Sequence, residues 1–339
     1  MADKEIVLSV RNLRTEFTLR AGLLRAVDNV SFDLRRGEVL ALVGESGCGK
    51  SVTVRSLLRL IRKPGKVYGS AVFTTPEGEQ VDLITLKDGG KEIRSIRGKL
   101  INMIFQEPMN ALSPVHTIAD QMIEGIMLHT NMTREQARQR SIELLQQVGI
   151  PEPESRIDSY SFQLSGGQRQ RVMIAMAISL NPSLMIADEP TTALDVSMQA
   201  QILKTLADLQ KNSDMSMIFI THDLAVVAQM VDRVCVMYLG QIIEEAPVDE
   251  IFKNPTHPYT KKLMASILDP SDEKTDADID AIAGSVPEPI NLPSRCLFYE
   301  RCNEAKDAKC AGEIPIYKEV IENHFVRCFL AMEREGDAQ

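Results

Sequence analysis

The stretch Gly44-Glu45-Ser46-Gly47-Cys48-Gly49-Lys50-Ser51, with Val52 behind it, constrains this chain more than any other. It fits Gly-x4-Gly-Lys-Ser/Thr, the P-loop pattern, whose glycines let successive backbone N–H groups turn toward one anion. Lys50 is then placed to reach the β- and γ-phosphates as a point charge, and the Ser51 hydroxyl to ligate Mg2+. The flanks predict the context such a loop needs. Glu38 to Val43 reads as a buried strand ending at Gly44, and Lys50 to Ile61 as a helix whose N-terminal dipole faces the phosphates. A Gly-rich turn arises by chance far less often between a strand and a helix than alone. The pattern implies a nucleoside triphosphate site.

Residues Ile6 to Leu34 alternate apolar and polar, as half-buried antiparallel strands do. Ile101 to Phe105 is a short apolar strand followed by Gln106-Glu107-Pro108, so Gln106 stands at a strand end. From about Met109 to Phe162 the pattern turns helical. Thr133-Arg134-Glu135-Gln136 is a capping box, and Ala137, Leu144, Leu145 and Val148 follow at helical spacing. Two more buried strands, Ser183–Ala187 and Met217–Ile220, end in Asp188-Glu189-Pro190 and Thr221-His222-Asp223. Strands alternating with helices imply a mostly parallel sheet, with ligands at the strand C-terminal ends, where the P-loop also lies.

Leu164-Ser165-Gly166-Gly167-Gln168 precedes a helix from Arg169 to Leu180, with Ser165 as its N-cap. P-loop, Gln106, this pentapeptide, Asp188-Glu189, Ala193-Leu194-Asp195 and His222 occur in the order found in ATP-binding cassette (ABC) ATPases, which residues 6 to 260 strongly resemble. The resemblance implies an α/β fold: a P-loop core of mostly parallel sheet plus an antiparallel β subdomain, spanning residues 1–260. It also implies an α-helical subdomain at about 108–163 and a small Cys-rich C-terminal extension at 261–339.

The same resemblance implies roles. Asp188 would hold Mg2+ together with Ser51 and Gln106, Glu189 would act as general base on water, and His222 would hold the γ-phosphate. Ser165, Gly166, Gly167 and Gln168 would contact ATP bound to the opposite subunit, Asp195 would couple the two sites, and Phe17 would stack on adenine. One P-loop and one signature then require two chains around two nucleotides. Phe105-Gln106-Glu107-Pro108-Met109-Asn110-Ala111-Leu112-Ser113-Pro114, Arg171–Ala177 and Asn254-Pro255-Thr256-His257-Pro258-Tyr259-Thr260 are similar to the oligopeptide/dipeptide importer ATPases. Departures occur at Ser113, where many members carry Asn, and at Ser161-Phe162, and neither touches a catalytic role.

Six cysteines are present. Cys48 sits in the P-loop and Cys235 in an apolar strand, where a small buried thiol is expected. Cys296, Cys302, Cys310 and Cys328 crowd the end of the chain with spacing x5, x7 and x17. A disulfide framework is unexpected, because Met1 to Glu5 shows no signal-peptide character and ATP chemistry belongs to a reducing compartment. Zinc sites usually show tighter Cys-x2–4-Cys pairs. The importer ATPases resembling this tail carry a [4Fe–4S] cluster in some members, so that cluster is the implied occupant, with zinc as the alternative.

A formal net charge of −9 argues against a chain that coats nucleic acid, and none is expected as a partner. No run of about 18 apolar residues occurs, so a link to a membrane must come through partners. The resemblance supplies them: a second ABC ATPase, commonly a paralogue, two transmembrane permease subunits and an extracytoplasmic solute-binding protein, with this chain peripheral on the cytoplasmic face of the membrane. A non-transport ABC ATPase is the rival reading. Chromosome ATPases place a very long coiled coil between P-loop and signature, ribosomal ones usually carry two cassettes, and an iron–sulfur assembly ATPase would leave the cysteine tail unexplained.

Overall fold

Two sheets carry the chain in the computed structural model, which describes residues 4–106, 111–191, 196–265, 282, 284–304 and 308–331. The first is antiparallel, ordered β2-β1-β4-β5, from β1 (Ile6–Leu19), β2 (Gly22–Arg35), β4 (Lys66–Thr74) and β5 (Gln80–Asp82). Along β1, Leu8, Val10 and Leu13 are fully buried between more exposed residues, the alternation that a one-sided sheet requires.

The second sheet has eight strands in the order β11-β12-β10-β9-β3-β8-β7-β6. Its centre is parallel: β9 (Arg233–Tyr238), β3 (Val39–Val43), β8 (Ser216–Ile220), β7 (Leu184–Asp188) and β6 (Ile101–Ile104). These strands are covered on both faces and therefore read as unbroken apolar runs. In β3, Val39, Ala41 and Val43 join one core while Leu40 and Leu42 join the other. The first core lies under the helices and the second under the antiparallel sheet. Each buried Val or Leu contributes about 1.5–3 kcal/mol relative to exposure.

The expected helical region is present. Helices Ile118–His129 and Arg134–Gln147 bury Met122, Ile123, Ile126, Leu144 and Leu145 in the core shared with helix Gly166–Ile178. The capping box at Thr133 forms as expected, with the Gln136 N–H donating to Thr133 Oγ1 at 3.3 Å and the Thr133 N–H to Gln136 Oε1 at 2.9 Å. The P-loop helix spans Lys50–Leu57, shorter than the expected run to Ile61. Arg59 adopts φ 53°, a left-handed conformation that stops the helix before Leu60. The acidic stretch 269–280 and Asp195 lie outside the described residues. Among the described residues no helix is long and apolar enough to cross a membrane.

The C-terminal residues return to the core sheet. The hairpin β11 (Lys318–Ile321) and β12 (His324–Val326) adds to β10 (Gln241–Pro247), pairing Glu244 with Val326 and Glu245 with Phe325. Beneath it Glu244, fully buried, accepts from the backbone N–H groups of Thr256 (2.7 Å) and His257 (2.9 Å) and contacts His324 Nε2 at 2.7 Å. The His257 ring is buried, and its Nδ1 accepts the Tyr259 N–H at 3.0 Å, so the imidazole is neutral. Burial lowers its pKa to about 4. The unfolded chain binds this proton more readily, so stability falls as pH drops from 6.5 toward 4. At 1.36 kcal/mol per unit the His257 contribution is about 3 kcal/mol. Replacing His257 by Asn keeps an acceptor but no titrating group, and is expected to flatten this limb of the melting temperature against pH. An acid limb as steep in the variant as in the parent would exclude His257 as its source.

Candidate functional site

The parallel register lines up the site. Leu42 pairs with Ile220 across β3 and β8, and Ile220 pairs with Asp188 across β8 and β7. On the outer strand Ile104 pairs with Ala187. Gly44, His222, Asp188, Glu189 and Gln106 thus all emerge at one edge, within two residues of the last paired row.

The P-loop closes between β3 and its helix because two glycines admit neighbouring backbone. A Cβ on Gly49, at φ 105°, would stand 2.3 Å from the Ala26 carbonyl oxygen, and one on Gly44, at φ 144°, would stand 2.3 Å from that of Met237. Gly49 caps helix Lys50–Leu57 without any side-chain hydrogen bond, which leaves its N-terminus free of a protein anion. Ser46 and Gly47 are exposed, Cys48 is buried, and Val52 packs partly buried on the core. Burial pushes the Cys48 thiol pKa up, so it stays protonated. Lys50, only 6% exposed, curls back onto the loop. Its Nζ donates to the Gly44 carbonyl at 2.6 Å and the Glu45 carbonyl at 3.1 Å, and lies 3.6 Å from Cys48 Sγ. All three acceptors are uncharged.

Ser51 Oγ donates to Asp188 Oδ1 at 2.8 Å. Asp188 is fully buried, and among the described residues its Oδ2 has no hydrogen-bond partner; Arg55 Nη2 stands 3.9 Å away. Burial pushes this carboxyl up from its ordinary value, against the pull of the Ser51 hydroxyl and the Arg55 charge. A hydroxyl beside a buried carboxylate oxygen without a donor is the set of hard oxygen ligands that Mg2+ takes. Glu189, at φ 48°, turns its carboxylate to the other side. Its Oε2 accepts from Gln106 Nε2 at 2.9 Å and stands 3.5 Å from His222 Nδ1. The His222 side chain is 67% exposed, so its ring opens to whatever enters the site.

Ser165 caps helix Gly166–Ile178 in a capping box with Gln168: the Gln168 N–H donates to Ser165 Oγ at 3.3 Å and the Ser165 N–H to Gln168 Oε1 at 3.0 Å. Ser165 and Gly166 are exposed, while Gly167 lies against Met198. No described contact joins this turn to the P-loop of the same chain. Phe17 lies on β1 with its ring against Gly65.

The four tail cysteines, on which a metal was expected, lie near one another. Cys296, Cys302, Cys310 and Cys328 form no disulfide among the described residues, and the other three lie close enough to raise the pKa of Cys296, which burial pushes up to about 11. Yet among the described residues no group of three or more His, Cys, Asp or Glu side chains is arranged to hold a metal ion. Neither the [4Fe–4S] cluster nor zinc finds a formed ligand set.

Three contributors escaped the sequence reading. Arg55 follows Ser51 by four residues and so shares its helix face, a signal that was available. Tyr259, whose OH accepts the Glu45 N–H at 2.9 Å, and Arg301, which grips the Glu45 carboxylate, lie more than 200 residues from the loop, and nothing in the sequence near either points to Glu45.

Comparison with known proteins agrees with this geometry. Residues 27–192 match the family described as "ABC transporter", and residues 243–310 that described as "Oligopeptide/dipeptide transporter, C-terminal region". The oligopeptide transport ATP-binding protein AppD of Bacillus subtilis is 46% identical over 336 residues, covering 98% of this chain and 99% of that protein. The dipeptide transport ATP-binding protein DppD of the same organism is 44% identical over 335 residues, covering 98% and 97%. A dimeric ATP-binding cassette solved in a post-hydrolysis state with ADP and Pi is 26% identical, with a TM-score of 0.63, covering 71% of this chain and 98% of that one. With a P-loop, a buried carboxylate and a strand-end glutamate gathered at one sheet edge, and relatives matched along nearly their whole length, the chain belongs to the ABC transporter ATPases, in the oligopeptide/dipeptide branch.

Proposed function

We propose that this chain powers the import of di- or oligopeptides across the cytoplasmic membrane, bound peripherally to its cytoplasmic face. The observation that carries the reading is the unbroken similarity to peptide-transport ATP-binding proteins through the C-terminal region. Its partners would be a second ABC ATPase, two transmembrane permease subunits and an extracytoplasmic solute-binding protein. A groove of about 210 Å3 next to Gln106 in the chain, lined by Phe105, Leu112, His129, Met173 and Met176, supports a docked permease segment.

In this reading Lys50 leaves its loop carbonyls for the β- and γ-phosphates, and the uncapped helix N-terminus completes the cradle. Ser51, Asp188 and Gln106 would hold Mg2+, which neutralises charge on the phosphate oxygens. Glu189 releases Gln106 and takes a proton from the attacking water, while His222, already beside it, turns to the γ-phosphate. The exposed Ser165-Gly166-Gly167-Gln168 turn would reach the nucleotide of a second subunit, with Asp195 linking the two sites and Phe17 stacking on adenine.

Replacing Glu189 by Gln is expected to keep ATP binding and lower turnover by roughly 100-fold or more. Substantial residual hydrolysis would remove Glu189 from the base role. Lys50→Ala should weaken nucleotide binding itself, and unchanged affinity by calorimetry would count against the loop assignment. Purification of the chain from its native membrane should bring two polytopic membrane proteins and a second ABC ATPase; recovery of ribosomes or DNA-repair factors instead would sink the importer reading.

For the tail, the proposal is a structural [4Fe–4S] cluster that draws the four converging thiols together. Anaerobically purified protein should then contain iron and acid-labile sulfide. Zinc without iron would replace the cluster with a zinc site, and neither would remove metal from the tail.

A further inference from the structure

We propose that Arg301 is a positioning residue for the P-loop: it neutralises Glu45 and holds that carboxylate away from the phosphate site, so that the C-terminal lobe sets the affinity for ATP. Glu45 is the second residue of the loop, and its backbone carbonyl accepts Lys50 Nζ at 3.1 Å, so its side chain is rooted beside the lysine that meets the phosphates. Arg301 meets it with both arms of the guanidinium, Nη1 to Oε2 at 2.8 Å and Nη2 to Oε1 at 3.0 Å. This fork-to-fork pairing fixes direction as well as charge.

The guanidinium is itself held. Its side chain is only 7% exposed; it lies over the Tyr238 ring at 5.8 Å, and Nη2 donates to the Gly284 carbonyl at 3.2 Å. Behind the loop the Tyr259 hydroxyl accepts the Glu45 N–H, and Tyr238, Tyr259 and Phe298 pack their rings 5.0–5.5 Å apart. Residues 259, 298 and 301, all beyond β10, therefore back the first turn of the loop. Without Arg301 an anionic carboxylate, 26% exposed, is left beside Lys50. It then either pairs with Lys50 or repels the triphosphate, and both lower affinity.

The test uses the full-length chain and Mg·ATP. Arg301→Met is expected to weaken ATP binding by about tenfold, since hydrogen bonds to a charged group are lost. In steady-state hydrolysis KM for ATP should rise while kcat stays within about twofold. Adding Glu45→Gln to Arg301→Met should recover most of the lost affinity, because the unneutralised charge goes with it; a merely structural loss would not be relieved in this way. Where Arg301→Met does not fold, Arg301→Lys, which keeps the charge but not the fork, should still weaken binding by about threefold. Wild-type affinity in a folded Arg301 variant, or no relief by Glu45→Gln, would overturn the proposal. It rests on the P-loop binding ATP, and the wild-type chain tests that separately: no binding there would overturn both readings, whereas Lys50-dependent wild-type binding with unchanged Arg301 variants overturns only this one.

Discussion

The register of the parallel strands is the constraint on which the rest of this molecule depends. Leu42, Ile220 and Asp188 form one row across three strands, and every group with chemistry to do leaves the sheet just beyond it. A one-residue slip of β7 would turn Asp188 to the opposite face and put an apolar side chain in its place. Burial on both faces opposes that slip, because Met185 and Ala187 are claimed by one core and Leu184 and Ile186 by the other. Packing energy, spent far from the site, thus fixes the distance between Ser51 and Asp188 to that of a hydrogen bond.

Charges reinforce the arrangement where the two sheets meet. Arg233 at the start of β9 pairs with Glu38 and with Glu245, and donates to the Asp33 carbonyl of the antiparallel sheet. Its carboxylate partners raise its pKa despite burial, so the guanidinium stays charged, and Tyr317 of the C-terminal segment donates to Glu245 at 2.7 Å. Removing one member of such a set costs far more than the intact set contributes, because the survivor is left charged and dry. The network therefore acts as a specification of which strand meets which sheet.

The sequence disclosed the parts of this site that obey local rules. A short apolar run that stops at polar residues marks a strand end, and such runs placed Gln106, Asp188, Glu189 and His222 at strand ends. Capping chemistry was equally readable at Thr133 and Ser165, where both partners lie three residues apart. What stayed hidden depends on long closure. Nothing near Arg301 indicates Glu45, and nothing near Val326 indicates that it will pair with Glu244. The helix end at Leu57 was overrun because Arg59 takes a left-handed conformation with no glycine to announce it. The cysteines crowd one end of the sequence, but their spacing does not fix how far apart the sulfurs come to rest.

The Glu45–Arg301 pair joins residues 256 positions apart. A ribosome adding about 5–20 residues per second needs roughly 13–50 s to travel from one to the other. For that interval the nascent P-loop carries its glutamate without the arginine, and once β10 is made its edge stays open until β12, later still, arrives to cover it. An edge of this kind is a template for the wrong strand until the right one arrives. The most vulnerable moment for this protein is therefore late in its synthesis, and a chain cut short before residue 301 is handed to the cell's quality control with a nucleotide loop that was never tied down.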